Sequence, residues 1–495
     1  MQKRYFALIL AIILLVTALA SCTKPSSDDS MTTTAQAETK KETDDVSFKL
    51  SYTQSDSLNP FEAKTQNNQI LASLVFESLF DIDENYEVSA NIATGYAYTD
   101  SKTIRVDINP NLKFSDNSSI DTDDILYSIN SAIKSPAYKN ALNCFSYAEK
   151  NGNSVFIHLR YANPYAVNLL TFPIVSTEKD KKGYPVGSGR YSFSSVAGET
   201  ILKANESDDF APYITTISLV NIAAADSIDN AVNIGNISFA FRDLSTDTSK
   251  RISCAKKAVN MNNLIFIGIN SMSGATSDAK IRQAISLAID RAIIAESAYS
   301  GYASPASSLF NPYFKATENV NLFSKSADSS TAKQAVSQSG YNDKELTLTI
   351  LVSKNENKLA AATLIKNQLE AVGFNIKIAS VNDKEYTRRV KNVEFDLYIG
   401  EVKLGDDMNL YPFFSKKGAV HYGINSKMST PSLYTNYLSG ETELGKLILS
   451  FNEEMPFIPI AYKKGMICYS KAMNGDMQGY YGNFFSNIDS WNFIA

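Results

Sequence analysis

The chain is poor in the residues from which metal sites, disulfide scaffolds and histidine-based catalysis are built. Its 495 residues include four cysteines, two histidines and one tryptophan. No two cysteines stand as C-x-x-C, which argues against a zinc site. His158 and His421 are the only side chains that could act as a histidine base. Neither sits in a nucleophile motif, and no G-x-S-x-G occurs. Basic residues are not in excess: 47 Lys and Arg face 52 Asp and Glu, for a net charge of -5. That balance lacks the basic footprint of a nucleic-acid binder. The glycine-rich stretch Gly183–Tyr191 is not followed by Gly-Lys-Ser/Thr, so it is no phosphate loop and reads as tight backbone turning. Asp116, Asp121, Asp123 and Asp124 lack the glycine and terminal glutamate of an EF-hand, and read instead as acids at a helix start. No long apolar run occurs after residue 20.

The one long apolar run is N-terminal. Lys3 and Arg4 precede Phe6–Ala20, which is rich in Leu, Ile and Ala, and Leu19-Ala20-Ser21-Cys22 closes it. A basic start, an apolar centre and a small-residue end make a secretory signal. The cysteine behind the small residues makes it resemble a bacterial lipoprotein signal. That resemblance implies removal of residues 1–21 and acylation of Cys22 as the new N-terminus. The run is shorter than the roughly 20 residues a membrane span needs, which weighs against a spanning helix. Acyl chains on one residue anchor firmly without spanning. Residues 22–45 are too polar to bury a core and read as a flexible tether. The expected location is therefore extracytoplasmic, with the chain lipid-anchored to the outer face of the cell membrane. Cys144, Cys254 and Cys468 remain, far apart and odd in number. One disulfide is open to them, and buried free thiols are the preferred reading.

Periodicity supplies the elements of an α/β chain. Val46–Tyr52, Thr103–Ile108, Val155–Leu159 and Leu264–Asn270 read as strands. Gln69–Phe80 reads as a helix with Leu71, Leu74, Val75 and Leu79 on one face, and Asp278–Ala295 as one amphipathic helix. Leu346–Val352, a helix over Asn355–Val372 and the alternating Phe374, Ile376 and Ile378 make a βαβ unit, hence parallel strands. Phe395–Ile399 and Met455–Tyr462 are further extended segments.

Several landmarks fall in order along this framework: Ser57-Leu58-Asn59-Pro60, Leu112–Asp116 followed by Asp121–Ile125, Pro185-Val186-Gly187-Ser188-Gly189-Arg190-Tyr191, Ile281–Arg291 with its Asp290-Arg291, and Gly301-Tyr302-Ala303-Ser304-Pro305. Together they resemble the extracellular solute-binding proteins of family 5, the peptide-binding components of ABC transporters. The glycine loop is similar to that family's P-V-G-T-G-P-Y. The resemblance implies a two-lobed periplasmic-binding-protein-like fold of type II with an extra subdomain in the N-terminal lobe. The implied boundaries are 46–262 for the N-terminal lobe, 263–470 for the C-terminal lobe, and 471–495 for a tail returning to the N-terminal lobe.

It also implies a site. In peptide binders of the family, a carboxylate in a loop after a strand, within G/A-D-x-x-D-P, pairs with the ligand's α-amino group. Asp406 after Gly405 is the best match and Asp407 the second. The usual Trp is absent, with Val402 and Lys403 near its place, and the following Asp-Pro is missing. Glu401 and Lys403 accordingly leave a different polar ligand open. Asn59, Tyr422 and Asn425 are further candidates for substrate contact. The expected function is a monomeric, non-enzymatic, lipid-anchored receptor without cofactor or metal, delivering oligopeptides to ABC permease subunits. Another small solute (an amino-acid derivative, a sugar or a metal complex) is the alternative. A secreted lipid-anchored enzyme is the rival from another class, and the sequence offers it no catalytic cluster at a recognisable spacing.

Overall fold

The computed structural model describes residues 47–207, 209–244 and 252–493. The expected signal at 1–21, the expected acylation site Cys22 and the expected tether at 22–45 lie outside the described residues. Among the described residues, no helix is long and apolar enough to cross a membrane.

Two large hydrophobic cores, besides a smaller cluster that includes Ile228, Val232 and Met466, organise the chain into two lobes. One is built from Phe48 to Met261 and is completed by Ile467 to Trp491. The other runs from Leu264 to Tyr462. One mixed sheet, eleven strands among the described residues, passes through both. Two long strands make this continuity: Ala255–Ile269 and Phe457–Tyr469 pair antiparallel along most of their length. Val259 and Met261 face the first core, and Leu264–Ile267 the second. Between them the register slips. Asn260 faces Lys464 but Leu264 faces Tyr462, so three residues of one strand stand opposite Lys463 alone. An irregularity of this kind bends a strand pair and increases its twist, and here it falls where the chain passes from lobe to lobe.

In the N-terminal lobe, Phe48–Tyr52 pairs in parallel with Thr216–Asn221, and at Leu50 with Phe239–Arg242. A separate four-stranded antiparallel sheet holds Ala93–Asp100, Thr103–Ile108, Ser154–Leu159 and Phe145–Asn151. The helix Thr122–Lys134 has the capping box its acids suggested: the Asp121 carboxylate accepts from Asp123 N and Asp124 N, while Asp124 accepts from Asp121 N. In the C-terminal lobe, Thr347–Ser353 and Asn375–Val381 are parallel neighbours in full register, joined by the helix Glu356–Glu370. The tail closes on the first lobe. Trp491 is fully buried, with its ring 6.0 Å from Phe48 and 5.8 Å from Phe485.

Two helices differ from the periodicity reading. The expected Gln69–Phe80 helix is Gln66–Val75. It stops because the glycine loop crosses its end: Gly189 N donates to Val75 O at 2.9 Å, and a Cβ at Gly189 would stand 2.5 Å from the Val75 carbonyl carbon. Gly183, with φ +85° in open space, provides the expected turning, whereas Gly187 and Gly189 provide close backbone approach. The expected Asp278–Ala295 helix is two, Ala279–Ala288 and Arg291–Tyr299. Ile289 is extended, and Asp290 caps the second helix at Ile293 N, 2.8 Å away. The break turns Arg291 inward, where its guanidinium donates to Pro459 O at 2.9 Å and to Ser286 Oγ at 2.9 Å, and covers the Phe323 ring. A buried guanidinium needs such acceptors, and an unbroken helix would not deliver it to them. The three described cysteines are free thiols, with Cys144 and Cys468 buried and Cys254 partly exposed.

Candidate functional site

The loop after Leu397–Lys403 is fixed from both lobes. Asn262, at the register slip, accepts Leu404 N on its carbonyl at 2.9 Å and donates from Nδ2 to Gly405 O at 2.6 Å. Asn262 is in turn held by Asn311 Nδ2 at 3.2 Å. From the N-terminal lobe, Asn168 Nδ2 donates to Asp406 O at 3.3 Å, and Asn163 Nδ2 to Asp407 Oδ2 at 2.7 Å. Gly405 has no room for a Cβ, because the Asp407 carboxylate folds back beneath it. Nearby, Tyr165 and Tyr437 share a hydroxyl hydrogen bond of 2.7 Å, and the Tyr161 and Tyr411 rings stack at 4.0 Å.

This clamp sends the two adjacent acids in different directions. Asp407 is buried, and its carboxylate accepts from Asn163 and from Asn409 N at 3.3 Å. Asp406 is half-buried and lines a cavity of about 690 Å³ in the N-terminal lobe. Much of the rest of the wall comes from the helix carrying Gln69 and Ser73, from Glu77 and Asp81 beyond it, from Arg190, and from the tail at Tyr480–Ser486. No donor among the described residues hydrogen-bonds the Asp406 carboxylate. Burial pushes it up to about 6, offset only by the charge of Lys403. Burial likewise pushes Asp407 to about 6, against the help of its two donors. A desolvated carboxylate without a donor is costly to keep, and a ligand cation would relieve that cost.

The other sequence candidates sit elsewhere. Asn59 organises a turn: its Oδ1 accepts Phe61 N at 3.0 Å, and its carbonyl accepts Glu62 N and Ala63 N. Tyr422 lies against His421, with ring centres 4.3 Å apart, and packs on the C-terminal core. Asn425 fastens its loop to Ser271, accepting nothing from the cavity: its N donates to Ser271 Oγ at 2.9 Å and its Oδ1 accepts Lys427 N at 3.0 Å. These three stand outside the cavity wall. Glu401 is already engaged by Lys463 at 2.9 Å, Lys358 at 3.2 Å and Asn263 at 3.1 Å. Burial would raise its carboxyl, but Lys463 and Lys358 hold it at about 2. Lys403 covers the Tyr481 ring at 4.7 Å. Sequence reasoning missed Arg190, Glu77 and the tail residues. For Arg190 a signal existed, since it stands where the similar loop has proline.

Among the described residues, no three His, Cys, Asp or Glu side chains gather as metal ligands would. The wall offers the carboxylates of Asp406, Glu77 and Asp81, of which Asp81 accepts from Asn91, together with amides, hydroxyls and the Arg190 guanidinium. That is equipment for holding a polar solute.

The profile of bacterial extracellular solute-binding proteins, family 5 (middle region), matches residues 87–420. The glutathione-binding protein GsiB of Salmonella paratyphi A is 21% identical over 84% of this chain and 89% of its own length. The oligopeptide-binding protein AppA of Bacillus subtilis is 21% identical over 69% and 70%. The crystal structure of an ABC transporter substrate-binding protein from Sinorhizobium meliloti superposes with a TM-score of 0.71 at 16% identity, covering 91% of this chain and 100% of that one. With two lobes, a cavity in the N-terminal lobe that Asp406 of the C-terminal lobe also lines, and a family match over residues 87–420, this chain belongs to the bacterial extracellular solute-binding proteins of family 5.

Proposed function

We propose that the chain is the lipid-anchored receptor of an ABC importer, capturing oligopeptides between its lobes and delivering them to permease subunits. One observation carries the peptide reading: the half-buried Asp406 carboxylate faces the cavity without a donor. An α-ammonium group is the complementary ligand part, and a charge-assisted hydrogen bond there is short and orienting. Asp407 and its Asn163 contact act as the positioning support. Two of the relatives carry names of the same class, glutathione-binding and oligopeptide-binding, and a third is named nickel-binding. Anchoring at Cys22 rests on the signal sequence. Ligand contacts on both lobes favour the closed arrangement by their differential affinity for it, and the slipped strand pair at Lys463 is the natural hinge.

The test is native mass spectrometry of the mature chain without its lipid, mixed with a peptide digest. Peptides captured by the wild type and lost on Asp406→Asn support the reading. Capture unaffected by that change, or none at all, refutes it and leaves another small solute to be sought.

A further inference from the structure

Asp406 is not the only half-buried charge on the cavity wall without a counter-ion. Arg190 lines the same cavity, and its position is set by its neighbours. On one side the Gly189 backbone is pinned to Val75 O. On the other, Tyr191 is fully buried, and its hydroxyl donates to Ile214 O at 2.7 Å. The guanidinium lies 6.0 Å from the Phe210 ring centre and donates Nη1–H to Ser486 O at 2.9 Å. A guanidinium has five N–H donors, and this is the one hydrogen bond it makes to a described residue. Glu77 shares the wall and senses the Arg190 charge, yet burial still raises the Glu77 carboxyl. No described carboxylate lies within ion-pair distance of Arg190.

We propose that Arg190 receives a carboxylate of the ligand, so that the cavity selects short peptides with both ends free: α-ammonium at Asp406, α-carboxylate at Arg190. This rests on the peptide reading above. Asp406 and Arg190 have opposite sign, and each costs desolvation while unpaired, whereas burial shifts the neighbouring Glu77 toward its neutral form. A zwitterion satisfies both at once, whereas an uncharged solute satisfies neither. The guanidinium fork matches a carboxylate in two parallel hydrogen bonds, which an ammonium side chain cannot reproduce. The cavity, about 690 Å³, falls within the range of small-ligand sites. A side-chain carboxylate has the same chemistry as an α-carboxylate, so the test must separate them.

The probe is a mixture of di- to tetrapeptides free of Asp and Glu, made as free acids, as C-terminal amides and as N-acetylated acids, read by native mass spectrometry on the mature chain. The wild type is expected to bind the free acids about 10- to 100-fold better than the amides. Arg190→Gln should bind acids and amides alike, and Arg190→Lys should keep part of the preference. Thermal unfolding checks that both variants are folded. Equal binding of acids and amides by the wild type overturns the proposal without reference to any variant, as does a preference that survives in folded Arg190→Gln. Equal capture of the N-acetylated acids, with the acid preference intact, removes Asp406 as the amine anchor and leaves Arg190 standing. Capture of no form overturns both.

Discussion

Asn163 Nδ2 donates to Asp407 Oδ2 at 2.7 Å across the two lobes, and this bond separates the roles of two adjacent acids. With the Asp407 carboxylate occupied beneath Gly405, Asp406 alone is presented to the cavity.

Asn163→Ala should therefore destabilise the protein by about 1–3 kcal/mol at pH 7.5, because it leaves a buried carboxylate short of a donor. Adding Asp407→Asn should recover part of the loss by removing the unpaired charge. Urea denaturation of the wild type, both single variants and the double variant measures the coupling. A strictly additive double variant would show that the contact is not the link inferred from it.

Asp406 carries a pH signature. Its folded-state value, about 6, lies above the ordinary carboxylate range. The folded protein therefore holds this proton more tightly than the unfolded chain, and stability falls as pH rises from about 4 to about 6. Asp406→Asn should stabilise the unliganded protein by about 1–2 kcal/mol at pH 7.5 and have no such effect below pH 4. Melting curves across that range decide it, and a variant less stable than the wild type at pH 7.5 would contradict the desolvated, unpaired carboxylate.

Ligand affinity should follow the opposite course. A ligand ammonium needs the ionised carboxylate, so affinity should drop about tenfold per pH unit once pH is below about 6. Calorimetric titration with a captured peptide at pH 7.5 and 5 measures this. Asp406→Asn should flatten the dependence.

Glycine substitutions should split by environment. Gly189→Ala would drive a methyl group into the Val75 carbonyl carbon, at 2.5 Å, and should cost more than about 2 kcal/mol, the scale of overpacking. Gly445 is in the helix Leu444–Glu454 with open space around its Cα. Gly445→Ala should stabilise by about 0.5–1 kcal/mol through helix propensity. Chemical denaturation of the pair tests whether close approach is what position 189 requires.

Much of the framework was legible because its causes are local. The apolar alternation and the intervening helix gave the βαβ unit, and its strands Thr347–Ser353 and Asn375–Val381 are parallel neighbours. The acids at Asp121 and Asp124 announced a helix start, and they form a capping box. The breaks were not legible. Leu79 continues the apolar spacing of its helix, but the chain leaves the helix at Phe76 where the glycine loop crosses. Ile289 fits the stripe of its helix, but the burial of Arg291 turns the chain there. In both places a contact from a distant segment overrides a local preference.

The site divides the same way. The sequence by itself determined a strand at Phe395–Ile399, an apolar run that lies in the strand Leu397–Lys403 and just before it, and a resemblance to one family of binding proteins that singled out Asp406 and Asp407 in the loop beyond. Which acid meets the cavity was decided by Asn163 and Asn168, more than two hundred residues away along the chain, whose amides hold Asp407 and the Asp406 carbonyl. Engagement of Glu401 by Lys463 and Lys358, and the presence of Arg190 on the same wall as Asp406, were likewise decided only by tertiary structure. Charge and hydrogen-bonding capacity belong to a residue. Whether they are satisfied by the protein or left for a ligand depends on what the fold brings within about 3 Å of them.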